Sequence, residues 1–97
     1  MMKTQPASKS ITRDITIVNE MGLHARPAAQ FVRRANGFRS EIWLVKDGKR
    51  FSAASLIEVM RANVDCGTTV TLEANGPDAE TAVERLAQLL REFKDED

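Results

Sequence analysis

His24 is the only histidine of the chain and the residue best suited to covalent or acid–base chemistry near neutral pH. A neutral imidazole offers a nitrogen lone pair that can accept a phosphoryl or acyl group. Arg26 lies two residues further on, and its guanidinium can donate charge-assisted hydrogen bonds to phosphate oxygens. Pro27 fits a helix only in its first turn, so His24 is predicted at or near the N-cap of a helix.

The start of this helix is predicted to form an anion site. N–H groups of a first helical turn lack a partner inside the helix, and the positive end of the helix dipole favours a bound anion. We expect Ala28 and the residues after it to supply such amides, while the small Ala25 keeps the approach open for a partner protein. The residues predicted to bind a phosphate carried by His24 are Ala25, Arg26, Pro27 and Ala28.

Other interpretations of His24 remain open from residue types alone. A lone histidine at a helix start is commonly a cap or a surface residue, although its combination with Arg26 and Pro27 favours an anion site. A hydrolase has less support, because one histidine without a second acid–base group or a cluster of metal ligands cannot assemble a catalytic triad or a zinc site. The sequence therefore predicts neither a metal nor a cofactor.

The elements that position His24 follow from hydrophobic periodicity. Residues 11–18 alternate, with β-branched isoleucines on one face, and predict a strand. Gly22 permits a sharp turn after it. The following helix begins at about Ala25 or Arg26 and stops at Asn36-Gly37. Its apolar stripe consists of Ala28, Phe31, Val32 and Ala35.

The rest of the chain adds three strands and two helices. The predicted strands span residues 40–46, 50–53 and 68–74. Asp47-Gly48 predicts a tight hairpin between the first two, and Trp43 is expected on the face away from the core. Residues 76–78, Gly-Pro-Asp, are predicted to end the last strand and to cap the long amphipathic helix that follows. The order β-α-β-β-α-β-α predicts an α+β fold, an open-faced β-sandwich in which three helices cover one face of a four-stranded antiparallel sheet.

The short second helix is expected to contribute a docking surface. Ser55 and Glu58 match the S-x-x-E capping box. Four apolar residues crowd this helix of about two turns, so we expect Leu56 and Met60 to be exposed near His24 and to bind partners. The alternative is that all four belong to the core. Arg33 on the first helix is expected to rim the same surface and to steer acidic partners.

Length and charge limit the remaining possibilities. The 97 residues suffice for one domain, predicted over residues 11–97 after a flexible tail of residues 1–10. The 14 basic and 14 acidic residues give a net charge of zero, which argues against a nucleic-acid partner. The sequence shows neither a membrane span nor a secretory signal, so a cytoplasmic protein that does not bind membranes is expected. The chain is also expected to be a monomer.

Residues 22–28, GLHARPA, resemble the active-site signature of the HPr family, the phosphocarrier proteins of the bacterial phosphoenolpyruvate-dependent phosphotransferase system. Residues 47–49, 55–60 and 74–78 are similar to the same family, so the resemblance covers roughly residues 11–93. It implies that His24 accepts a phosphoryl group on Nδ1 from the phosphorylated first enzyme of the system. His24 would then pass this group to a second-stage protein, with Arg26 assisting. The implied protein is a carrier with a phosphohistidine intermediate rather than an independent enzyme.

Several questions stay open at this point. The resemblance does not decide between the sugar-transport branch and the nitrogen branch of the system. The regulatory serine of the family falls on Ser55, but Glu58 stands where a glycine is common, so Ser55 is predicted to act mainly as a helix cap. The alternative function is a regulatory ferredoxin-like binding module without phosphotransfer, which would leave His24, Arg26 and Pro27 unexplained.

Overall fold

The computed structural model of the chain describes residues 9–93. It has the predicted order of elements, and the predicted α+β open-faced sandwich is confirmed. The elements are β1 (Lys9–Thr16), α1 (Ala25–Ala35), β2 (Glu41–Lys46), β3 (Lys49–Ser52), α2 (Leu56–Arg61), β4 (Thr69–Gly76) and α3 (Ala79–Glu92).

The four strands form one antiparallel sheet in the order β1-β4-β2-β3. The hairpin between β2 and β3 turns at Asp47 and Gly48, whose φ angles of 52° and 78° are those of the tight turn that the sequence predicted. Strand β1 begins at Lys9, two residues before the predicted strand, because it pairs with β4 as far as Gly76. The predicted tail over residues 1–10 is therefore wrong at residues 9 and 10, which lie in β1. Its residues 1–8 and the chain end over residues 94–97 lie outside the described residues.

The core lies between the sheet and the helices. Alternate residues of β2 and β4, among them Leu44 and Leu72, are fully buried and belong to one core cluster with Phe31 of α1 and Leu86 of α3. Burial on one side only is the expected consequence of period-two alternation in a sheet with one covered face. Within residues 9–93, no helix is both long and apolar enough to cross a membrane.

Trp43 lies on the open face of the sheet, as predicted, but is half-buried. The guanidinium of Arg50 stacks over its ring at 4.2 Å from the centroid. Arg50 also pairs with Glu73 of β4, with 3.5 Å between Nε and Oε1. The neighbouring strands thus cover an aromatic side chain that the alternation alone would leave exposed.

Candidate functional site

The turn between β1 and α1 is held by a buried asparagine. Asn19 is 6% exposed, and its Nδ2 donates a hydrogen bond of 2.7 Å to the carbonyl of Gly22. The amide of Gly22 donates in return to the carbonyl of Asn19 at 3.1 Å. These two bonds close a compact loop that ends two residues before His24. Nothing in the local sequence pattern around Asn19 signals this burial.

The same turn is fastened to the segment that follows α2. The amide of Leu23 donates to the carbonyl of Val64 at 2.9 Å. Gly22 has a φ of +66°, and a Cβ built there would lie 2.9 Å from the Cα of Asp65 and even closer to the Val64 carbonyl oxygen. Glycine is therefore required here both for its backbone conformation and for the close approach of the two chain segments.

His24 is the N-cap residue of α1, as predicted. Its backbone is extended, with φ −78° and ψ −174°, and its side chain makes no capping hydrogen bond. The interpretation of His24 as a side-chain cap of α1 is therefore wrong. The ring is half-buried, and Nε2 is its buried nitrogen.

The residues after His24 differ in what they offer to an anion. Ala25 and Arg26 are exposed, whereas Pro27 and Ala28 are buried. The prediction that Ala28 supplies a free amide is wrong, because this amide donates to the carbonyl of His24 at 2.9 Å and closes the first helical bond. The first turn of α1 contains no acidic residue. The positive end of its dipole is therefore not neutralised from within the helix.

Helix α2 exposes more apolar surface than predicted. Leu56 and Met60 are 42% and 41% exposed, as expected, while Val59 is fully buried. Ile57, which was not among the residues predicted to be exposed, is the most exposed of the four at 71%. The alternative that all four belong to the core is therefore wrong. Because α1 and α2 pack against each other, this apolar surface belongs to the same side of the molecule as α1.

The cap of α2 is only half of the predicted capping box. The Ser55 hydroxyl accepts a hydrogen bond of 3.2 Å from the amide of Glu58. The amide of Ser55 donates to the carbonyl of Ser52 at 3.3 Å, and not to the Glu58 side chain as predicted. The turn leading out of β3 thus satisfies the donor that a reciprocal box would have used.

Arg33 is exposed at the end of α1, as its predicted contact with partners requires. It shares a shallow surface cavity of about 320 Å³ with Arg34 and with Leu89 of α3. Its position rimming the docking surface stays a prediction. Among residues 9–93, no group of three histidine, cysteine, aspartate or glutamate side chains is arranged to hold a metal ion.

Comparison with known proteins places this site in a family. Residues 11–92 match the family model described as the PTS HPr component phosphorylation site. The HPr-like protein Crh of Bacillus subtilis is 43% identical over 82 residues, covering 84% of this chain and 96% of that protein. The phosphocarrier protein HPr of Haemophilus influenzae is 43% identical over 79 residues, covering 81% and 93%.

The fold leads to the same group of proteins. The crystal structure of a phosphocarrier protein HPr from Bacillus anthracis superposes with a TM-score of 0.80 at 38% identity, covering 82% of this chain and 95% of that one. The match of sequence, fold and order of elements extends over nearly all of the described residues. The chain belongs to the HPr family, and its function is that of a phosphocarrier of the phosphotransferase system.

Proposed function

We propose that His24 is the residue that carries the phosphoryl group and that Nδ1 is the reacting nitrogen. The observation that carries this proposal is the placement of the imidazole at the N-cap of α1, at the positive end of a helix whose first turn contains no acidic residue. Burial of Nε2 supports the choice of Nδ1, because a partner protein cannot bring phosphorus to a buried nitrogen.

The transfer is a displacement at phosphorus. The Nδ1 lone pair of His24 forms a new N–P bond while the bond from phosphorus to the donor atom of the first enzyme breaks, and that electron pair stays on the donor. Nothing is oxidised or reduced. Passing the group to a second-stage protein repeats the displacement, with Nδ1 as the leaving nitrogen.

The surroundings of His24 fit a group that must be held and then released. Arg26 is exposed and can donate to the phosphoryl oxygens, and the first turn of α1 presents the positive end of its dipole. Pro27 has no N–H, so it can contribute no amide to phosphate binding. One guanidinium and a helix end stabilise the phosphoryl group moderately, so transfer onward remains possible.

Phosphotransferase-system enzymes are the class of partner that the family implies. Within that class we assign the donor to the phosphorylated first enzyme and the acceptor to a second-stage protein of the sugar or the nitrogen branch. We further propose that the chain acts as a cytoplasmic monomer, with Leu56, Met60 and Arg33 contacting each partner in turn. Sedimentation at several concentrations tests the monomer, since a stable dimer would sediment as one species of about twice the chain mass.

The central experiment is phosphorylation in vitro. The protein is mixed with the first enzyme, labelled phosphoenolpyruvate and Mg²⁺, and acid-labile phosphate is measured. Wild type should take up one phosphate and His24→Gln none, whereas Gln30→Ala, an exposed change further along α1, should behave as wild type. Label retained by His24→Gln would show that another residue is the acceptor.

A further inference from the structure

The C-terminal end of α2 is capped by a side chain from the sheet. The helix ends at Arg61, and Asn63 beyond it adopts a left-handed conformation with φ +53°. The last carbonyls of a helix need donors from outside it. The Nζ of Lys46 donates to the carbonyl of Ala62 at 2.9 Å and to that of Asn63 at 2.8 Å. This half-buried ammonium at the negative end of α2 also has favourable electrostatics.

The next carbonyl in the chain leads to the candidate site. Val64 follows Asn63 directly, and its carbonyl accepts the hydrogen bond from the Leu23 amide at 2.9 Å. Further along, Gly67 donates to Ile17 at 2.7 Å and Ile17 donates to Thr68 at 2.9 Å. Residues 64–68 therefore support the backbone on which the turn before His24 rests.

We propose that Lys46 is a positioning residue for His24. It fixes the two carbonyls immediately before Val64, and Val64 fixes Leu23, the neighbour of His24. The same ammonium holds the end of α2, so one contact from β2 sets both the reacting imidazole and the apolar surface of α2 that we assign to docking. This inference rests on the proposed role of His24.

A purely structural role for Lys46 makes a different prediction. If the lysine only stabilises α2, its loss lowers the unfolding temperature but leaves Leu23 protected in the folded molecule. If it positions the turn, its loss loosens the bond between Leu23 and Val64 selectively. At saturating first enzyme it should also lower the maximal rate of transfer, because the reacting nitrogen is displaced, while the apparent KM changes little.

The experiment compares Lys46→Met with Lys49→Met. Lys49 is the partner of Lys46 across the same hairpin and its side chain is exposed, so both variants lose one positive charge from the same place. We expect Lys46→Met to speed amide exchange at Leu23 about tenfold, the effect of losing a supporting hydrogen bond, and to slow transfer to a similar extent. Lys49→Met should match wild type in both measurements, and Lys46→Arg should restore much of the protection.

Equal exchange at Leu23 in the two methionine variants would overturn the proposal, whatever their transfer rates. Exchange that rises equally at Leu23 and throughout the sheet would also overturn it, since that is the signature of global destabilisation. The exchange measurement needs no phosphorylation. Failure of wild type to accept phosphate would therefore count against the role of His24 and not against the contact of Lys46.

Discussion

The side chain of Asn19 donates to the carbonyl of Gly22 at 2.7 Å and thereby closes the turn that delivers the chain to His24. Among the polar and charged residues that the structure describes, Asn19 is the buried one. A buried polar group is retained at low cost only when it is hydrogen-bonded, and this one satisfies a backbone carbonyl that water does not reach freely.

We expect Asn19→Ala to destabilise the fold by about 1–3 kcal/mol, because the change leaves a buried carbonyl without its donor. Phosphoryl transfer to His24 should also slow, because the turn before His24 loses the hydrogen bond between Asn19 and Gly22. The matched control is Asn36→Ala, whose side chain donates to Val32 and Ala54 at the opposite end of α1 and is exposed. Urea unfolding and a transfer assay on both variants test this. Equal loss of transfer in the two would contradict the role assigned to Asn19.

Gly22→Ala should lower the free energy of unfolding more than Gly67→Ala does, although both glycines have a positive φ. Both substitutions incur left-handed backbone strain, of order 1 kcal/mol. Only at Gly22 would the new Cβ also collide with the backbone of Val64 and Asp65, whereas no atom lies within 4 Å at Gly67. The difference in unfolding free energy therefore isolates the collision. Near-equal values would mean that the two segments can separate at little cost.

These contacts mark the limit of what the sequence could predict. Periodicity located the helix behind His24 and the hairpin at Asp47, because both depend on neighbouring residues. The exposure of Leu56 and Met60 followed from the crowding of four apolar residues on a helix of about two turns. Such arguments use only local spacing.

The missed features all join distant segments. The Nζ of Lys46 donates to the carbonyl of Ala62, which caps the C-terminal end of α2 and lies 16 residues further along the chain. No local pattern distinguishes Lys46 from another surface lysine. Asp78 was predicted to cap α3, and it does occupy the N-cap position, but its carboxylate makes no capping bond. It accepts instead from the Ser40 hydroxyl at 2.6 Å and the Arg39 amide at 2.9 Å, 38 and 39 positions away. Such pairings depend on tertiary packing, which a single sequence does not specify.

Asp78 makes the stability of the fold depend on acidity. Hydrogen bonds, first from the Ser40 hydroxyl and then from the Arg39 amide, hold the pKa of this carboxyl below its ordinary value of 3.8. The folded state therefore favours the carboxylate. The resulting stability is fully present above the unfolded pKa and is lost as pH falls through the lower folded pKa.

Asp78→Asn should accordingly have a lower free energy of unfolding than wild type at neutral pH. On acidification below about pH 4, this free energy should fall less in Asp78→Asn than in wild type. Ser40→Ala removes the hydrogen bond that contributes most to the lowered pKa of Asp78. In this background, the loss of stability at acidic pH should therefore differ less between the chain that keeps Asp78 and the one that carries Asp78→Asn. Thermal unfolding followed by circular dichroism between pH 2 and 7 measures both effects. Parallel curves for wild type and Asp78→Asn across that range would show that Asp78 contributes nothing through its charge.

Charge placed on the apolar surface of α2 should affect partners and not the fold. Met60→Glu and Ile57→Glu change exposed side chains, so each should cost no more than about 0.5 kcal/mol of stability while weakening transfer. Ile57→Glu should have the larger effect, because Ile57 is the more exposed. Val59 of the same helix is fully buried, so Val59→Ala should lower the melting temperature and have less effect on transfer. A large stability loss in Met60→Glu would identify Met60 as part of the core.

Ser55 is expected to act mainly as the N-cap of α2 and at most secondarily as a phosphorylation site. Its hydroxyl accepts from the Glu58 amide, so Ser55→Ala should cost about 1 kcal/mol with little change in transfer to His24. Ser55→Asp keeps a capping acceptor and should remain close to wild type in stability. Ser52→Ala is the matched control, since the Ser52 hydroxyl accepts from the Ala54 amide outside any helix cap.

Phosphorylation of Ser55 would place a dianion beside the carboxylate-bearing residue Glu58, and the like charges would repel each other. The positive end of a helix as short as α2 offsets this only in part. Incubation with ATP and a serine kinase specific for the HPr family should therefore label wild type poorly, and Glu58→Gly should label better because the repelling side chain is gone. Efficient, stoichiometric labelling of wild-type Ser55, unchanged in Glu58→Gly, would contradict this account and place the chain among carriers regulated through that serine.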